Sequence, residues 1–363
     1  LLHGAVVRDQ LESLNGLVIE LPFTAINLLA DMDAVQWIEP PLPRLSEVND
    51  SNRVITQANN VQSPPDNLDG TGVTVLVYDG GTARASHVDL DDHISVLDGS
   101  GTSDHATHTC GTVGGDGTAS GGTYRGMAPG VQLLSYGFEY DGSGIFLYSN
   151  PRDMEDDYSE AISVFGADVA NNSIGSNVSI NGFPCDITGD YGVTAALIDT
   201  IVRGDGSNAL FDDPFRIVWS AGNERQSSNC GDTYYTMAPP ANAKNHITVG
   251  ALNSNDDSVT SFTSWGPSDD GRLKPDLSGP GCQSNDDGGV TSTSSSGDDQ
   301  YTVKCGTSMS GPTVCGLTAL LLEDFRAEYP ASPDPRNSTV KALLCNTAQD
   351  VESPGPDFRT GYG

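Results

Sequence analysis

The stretch Val73-Thr74-Val75-Leu76-Val77-Tyr78-Asp79-Gly80-Gly81 decides the fold. Its first six residues are β-branched or apolar almost throughout, the pattern of a strand covered on both faces, and such strands belong to parallel sheets clothed by helices. The run ends in an acid and two glycines, so it delivers a carboxylate to the C-terminal end of a buried strand. Similar runs recur near Val131–Tyr136, Ala167–Asn171, Phe215–Ser220 and His246–Leu252, and helical patterns near Glu155–Phe165 and Val193–Val202 alternate with them. This alternation predicts an α/β fold with three layers and a doubly wound, mostly parallel sheet. Sheets of this kind place their ligands at strand ends and helix starts.

Three further segments put reactive groups at such places. Gly306-Thr307-Ser308-Met309-Ser310-Gly311-Pro312 runs from a tight turn into the apolar stretch Val314–Leu322, so it sets a serine hydroxyl at the mouth of a buried helix, with Pro312 expected in the first turn where its missing N–H costs nothing. Asp104-His105-Ala106-Thr107-His108-Thr109-Cys110-Gly111 sets a histidine before a small-residue stretch of helical length. Val218-Trp219-Ser220-Ala221-Gly222-Asn223-Glu224 ends another apolar strand in a turn that carries an amide side chain.

These residue types serve one chemistry. A serine hydroxyl is a poor nucleophile at neutral pH, so an imidazole must take its proton and a carboxylate must hold the imidazole's tautomer and stabilise its cation. Asp79, His105 and Ser308 could fill those roles, with His108 as the rival to His105. The Asn223 amide and the Ser308 backbone N–H are natural donors to a tetrahedral oxyanion.

The order Asp79, His105, Asn223, Ser308 with these flanks resembles the subtilisin-like serine proteases, from about residue 49 to the end of the chain. Met127-Ala128-Pro129, Asn172-Ser173-Ile174-Gly175, Ser264-Trp265-Gly266-Pro267 and Lys274-Pro275-Asp276 extend the likeness. Gly271–Asp276 and the closing Arg359-Thr360-Gly361-Tyr362-Gly363 look closest to the family's oxidation-resistant alkaline branch. The resemblance implies a triad of Asp79, His105 and Ser308, an oxyanion role for Asn223, a substrate-pairing strand at Ser173, Ile174 and Gly175, and a pocket wall at Ala221 and Gly222. In the family pattern the first histidine is the base, and the second packs in the helix. The chain departs from the pattern in Gly80 after the acid, Ala106 after the first histidine and Ser310-Gly311 after Met309; none removes a functional group.

Residues 1–48 carry a second message. Gly16–Pro22 alternates like a strand, Phe23–Met32 reads as a short amphipathic helix and Val35–Pro40 as another strand. This strand, helix, strand order resembles the C-terminal half of an inhibitory propeptide, with Pro40–Leu45 as a connector and the mature enzyme, residues 49–363, starting near Asn49. The same resemblance implies that an earlier propeptide strand and a signal peptide lie upstream, and that a final helix follows Gly363.

Forty-nine acids against 17 bases give a formal charge of −32. Such a field opposes nucleic acid and anionic membrane as partners, and no apolar stretch reaches spanning length. Most of the excess reads as solvated surface. Relatives bind structural calcium, and Asp256-Asp257, Asp269-Asp270 and Asp286-Asp287 offer hard oxygen ligands, although the ligands themselves are unknown from sequence. No cofactor is needed for catalysis. Seven cysteines suit an oxidising compartment. Spacing does not dictate connectivity; Cys185 with Cys230 and Cys282 with Cys305 are the expected loop bridges, and Cys110 and Cys315 the expected buried thiols. The reading is therefore a secreted, monomeric serine endopeptidase acting on protein or peptide substrates, with its own propeptide as intramolecular inhibitor. A peptide ligase or macrocyclase of the same fold is the alternative, followed by a non-catalytic acidic binding module.

Overall fold

The computed structural model describes residues 4–11, 16–35, 38, 50–138, 151–178, 184–204, 210–226, 230–231, 233–284 and 288–363. The chain divides into two compact units, Leu1–Ser46 and Glu47–Gly363, each described by itself.

In the first unit β1 (Val6–Leu11) pairs antiparallel with β2 (Gly16–Glu20), with an irregularity between Val7 and Asp9. A 3-10 turn at Phe23–Ala25 leads into α1 (Ile26–Ala30). The strand read at Gly16–Pro22 is present, but its partner β1 was not expected, because Val6-Val7-Arg8-Asp9-Gln10-Leu11 lacks the alternation of a half-buried strand. The helix is shorter than Phe23–Met32, and most of Val35–Pro40, Pro40–Leu45 and Asn49 lie outside the described residues.

The second unit opens with two short helices, α2 (Asp50–Ile55) and α3 (Ala58–Val61). There follow β3 (Thr74–Asp79), β4 (Ile94–Val96), α4 (Asp104–Gly114), β5 (Gln132–Gly137), α5 (Pro151–Ser163), β6 (Val169–Asn172), α6 (Val193–Arg203) and β7 (Arg216–Ser220). After β8 (Ile247–Asn253) and β9 (Leu277–Cys282), the hairpin β10 (Val290–Thr293) and β11 (Tyr301–Lys304) precedes α7 (Thr307–Glu328) and α8 (Asn337–Thr347). The sheet runs β4-β5-β3-β6-β7-β8-β9, and every neighbouring pair is parallel.

Alternation along β3 builds the three layers. Val75 and Val77 face a core shared with Cys110 and Val113 of α4, Val314, Cys315 and Ala319 of α7 and Val340 of α8. Leu76 and Tyr78 face the opposite core, with Met154, Tyr158 and Ala161 of α5 and Ile198 and Ile201 of α6. Each fully buried aliphatic side chain contributes roughly 1.5–3 kcal/mol of transfer free energy. A one-residue slip of β3 would exchange its two faces, so the register that aims Asp79 is set by both cores at once.

Candidate active site

Asp79 ends β3 beside Gly137, the last residue of β5, and is 1% exposed. The chain must then turn sharply: Gly81 has φ +110, and a Cβ there would lie 2.8 Å from the Gly101 carbonyl oxygen. Asp79 Oδ1 accepts from the Gly80 N–H at 2.6 Å, and Oδ2 accepts from the Thr109 hydroxyl at 3.2 Å. Its third partner is His105, whose Nδ1 lies 2.7 Å from Oδ1.

His105 occupies the first turn of α4, capped by Ser103, whose hydroxyl accepts from the Ala106 N–H at 3.2 Å. An ionised Asp79 can only accept, so Nδ1 carries the proton and Nε2 is left for another partner. Burial works against the imidazolium, but the charge and hydrogen bond of Asp79 outweigh it and raise the His105 pKa above its ordinary value. His108 is its opposite: fully buried, with Nε2 2.9 Å from the Val290 carbonyl oxygen, and pushed down to about 3, chiefly by burial. His87, His93 and His246 are also buried and serve the interior, not the surface; His3 lies outside the described residues.

Ser308 sits in the first turn of α7. Its hydroxyl donates to the Ser173 carbonyl at 3.0 Å, and the Ser173 hydroxyl donates back to the Ser308 carbonyl at 2.9 Å. The Ser308 hydroxyl thus rests on Ser173 and not on His105. Pro312 lies in the second turn of α7, one turn later than the sequence suggested, because the helix already begins at Thr307. Met309 is 1% exposed, so its thioether is packed in the interior.

Asn223 follows β7 and faces the start of α7. Its Oδ1 accepts from the Thr307 N–H at 2.9 Å and from the Thr307 hydroxyl at 3.0 Å. The amide nitrogen consequently points elsewhere: a Cβ placed on Gly306 would lie 3.4 Å from Asn223 Nδ2 and 3.5 Å from the Ser308 nitrogen. Two nitrogen donors therefore flank one point, at 3.4 and 3.5 Å.

The segment expected to pair with substrate differs in detail from the sequence reading. Strand β6 stops at Asn172, and Ser173, Ile174 and Gly175 continue without regular structure. Trp219 Nε1 holds the Ile174 carbonyl at 2.8 Å. Ala221 is fully buried in the core on the α5 side of the sheet, so of the two residues assigned to the pocket wall only Gly222, at φ +99, is partly exposed. Sequence reasoning missed Thr109, Thr307 and Ser103; a Thr next to Ser308 was visible, but not what it would orient.

The expected bridges Cys185–Cys230 and Cys282–Cys305 are both formed, with Cα separations of 5.2 and 4.6 Å. The second ties the end of β9 to the residue before Gly306. Cys110, Cys315 and Cys345 are free. Of the acidic pairs considered for calcium, one member each of two has a partner within the protein. Asp256 accepts from Ser258 N–H at 3.0 Å and hydroxyl at 2.6 Å, Asp270 pairs with Arg272 at 2.8 Å, and Asp286-Asp287 lies outside the described residues. Among the described residues no group of three or more His, Cys, Asp or Glu converges to hold a metal ion. No helix of the described residues is long and apolar enough to cross a membrane.

The chain resembles solved proteases in fold. The CspB protease of Clostridium perfringens superposes with a TM-score of 0.66 at 15% identity, covering 86% of this chain and 94% of that one. The prenylagaramide maturation protease PagA gives 0.59 at 21%, covering 80% and 90%. In sequence, the serine protease AprX of Bacillus subtilis (strain 168) is 30% identical over 321 residues, 80% of this chain and 64% of AprX. A cuticle-degrading serine protease of Arthrobotrys oligospora is 29% identical over 262 residues, 69% of this chain and 51% of the relative. The alignments thus span between half and two thirds of these relatives. The family model of the subtilases matches residues 70–363, which include Asp79, His105, Asn223 and Ser308, and the chain belongs to the subtilase family.

Proposed function

We propose that the chain is a serine endopeptidase that uses Asp79, His105 and Ser308 as its triad, and Asn223 Nδ2 with the Ser308 N–H as its oxyanion hole. The observation that carries this reading is the Asp79–His105 hydrogen bond at the sheet's C-terminal edge, with Nε2 left for the serine.

The reaction follows from the groups. The Ser308 hydroxyl turns from the Ser173 carbonyl towards His105 Nε2, gives up its proton there, and its oxygen bonds to the scissile carbonyl carbon. The carbonyl π pair moves onto oxygen, between Asn223 Nδ2 and the Ser308 N–H, whose hydrogen bonds strengthen as charge develops. His105 then passes the proton to the leaving nitrogen, the C–N bond breaks and an acyl-enzyme remains. Water, deprotonated by the same imidazole, releases the acid. The Ser173–Gly175 segment, freed from the sheet after Asn172, offers backbone groups to an extended substrate, and Gly222 borders the cleft.

Two finer parts belong to the same reading. Residues 1–48 act as a propeptide-derived inhibitor, removed by cleavage near Asn49, and the enzyme works as a monomer outside the cell; the two disulfides favour an oxidising compartment. A fluorophosphonate probe, applied before and after limited proteolysis, with the label located by peptide mass, tests the nucleophile and the inhibitor. Labelling of Ser308 only after cleavage supports nucleophile and inhibitor together. Immediate labelling retains the nucleophile and removes the inhibitor, and absence of labelling in both states overturns the triad.

A further inference from the structure

In an α-helix the carbonyl of residue i accepts from the N–H of residue i+4, so the carbonyl of Ser308 should be served by residue 312. That residue is proline and has no N–H. The vacant acceptor is filled from outside the helix, by the Ser173 hydroxyl at 2.9 Å. The same hydroxyl oxygen accepts from Asn171 Nδ2 at 3.0 Å. Asn171 lies in β6, fully buried in the middle of the sheet. Its amide occupies a lone pair of the Ser173 oxygen, which leaves the hydroxyl proton directed at Ser308.

The preceding carbonyl is held in the same manner: Thr307 O accepts from the Ser220 hydroxyl of β7 at 3.0 Å. Two serines, one at the end of β7 and one just beyond β6, therefore grip the two residues that begin α7. The helix face follows suit at Gly311, where a Cβ would lie 3.3 Å from Ser220 Oγ and 3.4 Å from Asn171 Oδ1, so the backbone lies close over this polar cluster.

We infer that Ser173 is a positioning residue for the nucleophile: its side chain replaces the hydrogen bond that Pro312 removes and so fixes the Ser308 backbone to the sheet. The inference rests on Ser308 being the nucleophile. It adds to the role of the Ser173 backbone in substrate pairing a distinct role for the side chain. The reason to expect a kinetic effect is geometric. His105 stands on α4 and Ser308 on α7, so their relative placement depends on how α7 is anchored, and small displacements in such a pair cost rate steeply.

A double-mutant cycle between Ser173→Ala and Pro312→Ala separates this role from simple packing, because Pro312→Ala returns a helical N–H to the Ser308 carbonyl. Steady-state kinetics on a peptide substrate and the rate of fluorophosphonate labelling are measured for all four proteins after propeptide removal. Ser173→Ala alone should lower kcat and the labelling rate about tenfold with KM unchanged, the size of one lost hydrogen bond to the reacting residue. In the Pro312→Ala background the same change should cost less than about threefold, and Ser173→Thr, which keeps the hydroxyl, should restore most of the rate. Equal losses in both backgrounds, an effect confined to KM, or unchanged kinetics would overturn the positioning role while leaving the nucleophile in place. If the parent protein is not labelled at Ser308, the nucleophile reading itself fails.

Discussion

Asn223 takes two hydrogen bonds from Thr307 on one oxygen, the N–H at 2.9 Å and the hydroxyl at 3.0 Å, and this pairing decides where its amide nitrogen can go. Asn223→Ala should then lower kcat about 10²–10³-fold with little change in KM, the range already known for removing such a donor from a related enzyme of this family. Thr307→Val keeps the N–H contact but loses the hydroxyl, and should cost kcat roughly three- to tenfold. Equal effects of the two variants would mean that Thr307 does more than orient the amide.

Gly306→Ala isolates the space between the donors. Gly306 has φ 161 and ψ 162, an extended conformation open to any residue, so alanine brings no backbone strain. Its methyl would stand 3.4 Å from Asn223 Nδ2 and 3.5 Å from the Ser308 nitrogen. The expected outcome is a thermal midpoint close to the parent's with kcat down by about 10²-fold or more, from turnover and calorimetry on the same samples. Unimpaired turnover would place the oxyanion elsewhere.

Activity should titrate with His105. The base must be neutral to accept the serine proton, so kcat/KM falls as pH drops through its pKa, and Asp79 raises that pKa above the ordinary value of a histidine. The acid limb should therefore have a midpoint above about 6.5. Asp79→Asn removes the charge and the tautomer restraint together. It should move the midpoint down and reduce kcat by about 10⁴-fold, as read from a pH–rate profile.

The Cys282–Cys305 bridge closes a span of 23 residues that ends beside Gly306. Replacing both cysteines by serine should lower stability by roughly 2–4 kcal/mol, through a more disordered unfolded chain. Because the bridge also tethers the residue before the turn that carries Ser308, kcat should fall at temperatures where the protein remains folded. Calorimetry with kinetics at 20 °C below the midpoint, an arbitrary margin of about that size, reads both effects.

Asp157 on α5 makes an alkaline liability. Burial and then the nearby Asp153, Asp98, Glu160 and Asp156 push its carboxyl up to about 8. A carboxyl raised in the folded state holds its proton there longer than in the unfolded chain, so its contribution is complete at pH below about 4 and is lost as pH rises through about 8. Thermal midpoints of the parent should therefore decline between pH 5 and 9, roughly the window this shift defines, and Asp157→Asn should flatten the decline. Parallel curves for the two proteins would remove Asp157 as the cause.

The parts of the fold that were legible in the sequence are those whose side chains are forced by burial. Strand β3 is covered on both faces, so Val75, Leu76, Val77 and Tyr78 had to be apolar or aromatic, and the same pressure made β5, β7 and β8 visible. The two edge strands were not visible, for opposite reasons. β4 is only Ile94-Ser95-Val96, partly exposed, and β9 reads Leu-Ser-Gly-Pro-Gly-Cys, a composition that looks like a loop. Pro280 is tolerated there because β9 bonds to β8 on one side alone.

By itself the sequence determined the layered α/β architecture and the reactive groups, because a buried parallel strand and a turn opening an apolar helix each impose local residue patterns. Only tertiary structure decided their relations. Asp79 and His105 lie on separate elements and meet through the packing of α4 on β3; Asn223 is aimed by a threonine 84 positions away. Pro312 also acquires its meaning only in three dimensions, since a missing N–H is a local fact, while the hydroxyl that replaces it comes from Ser173, 135 positions away, across the sheet. Hydrogen-bond geometry between distant segments depends on how the elements dock, and no local pattern in the chain records it.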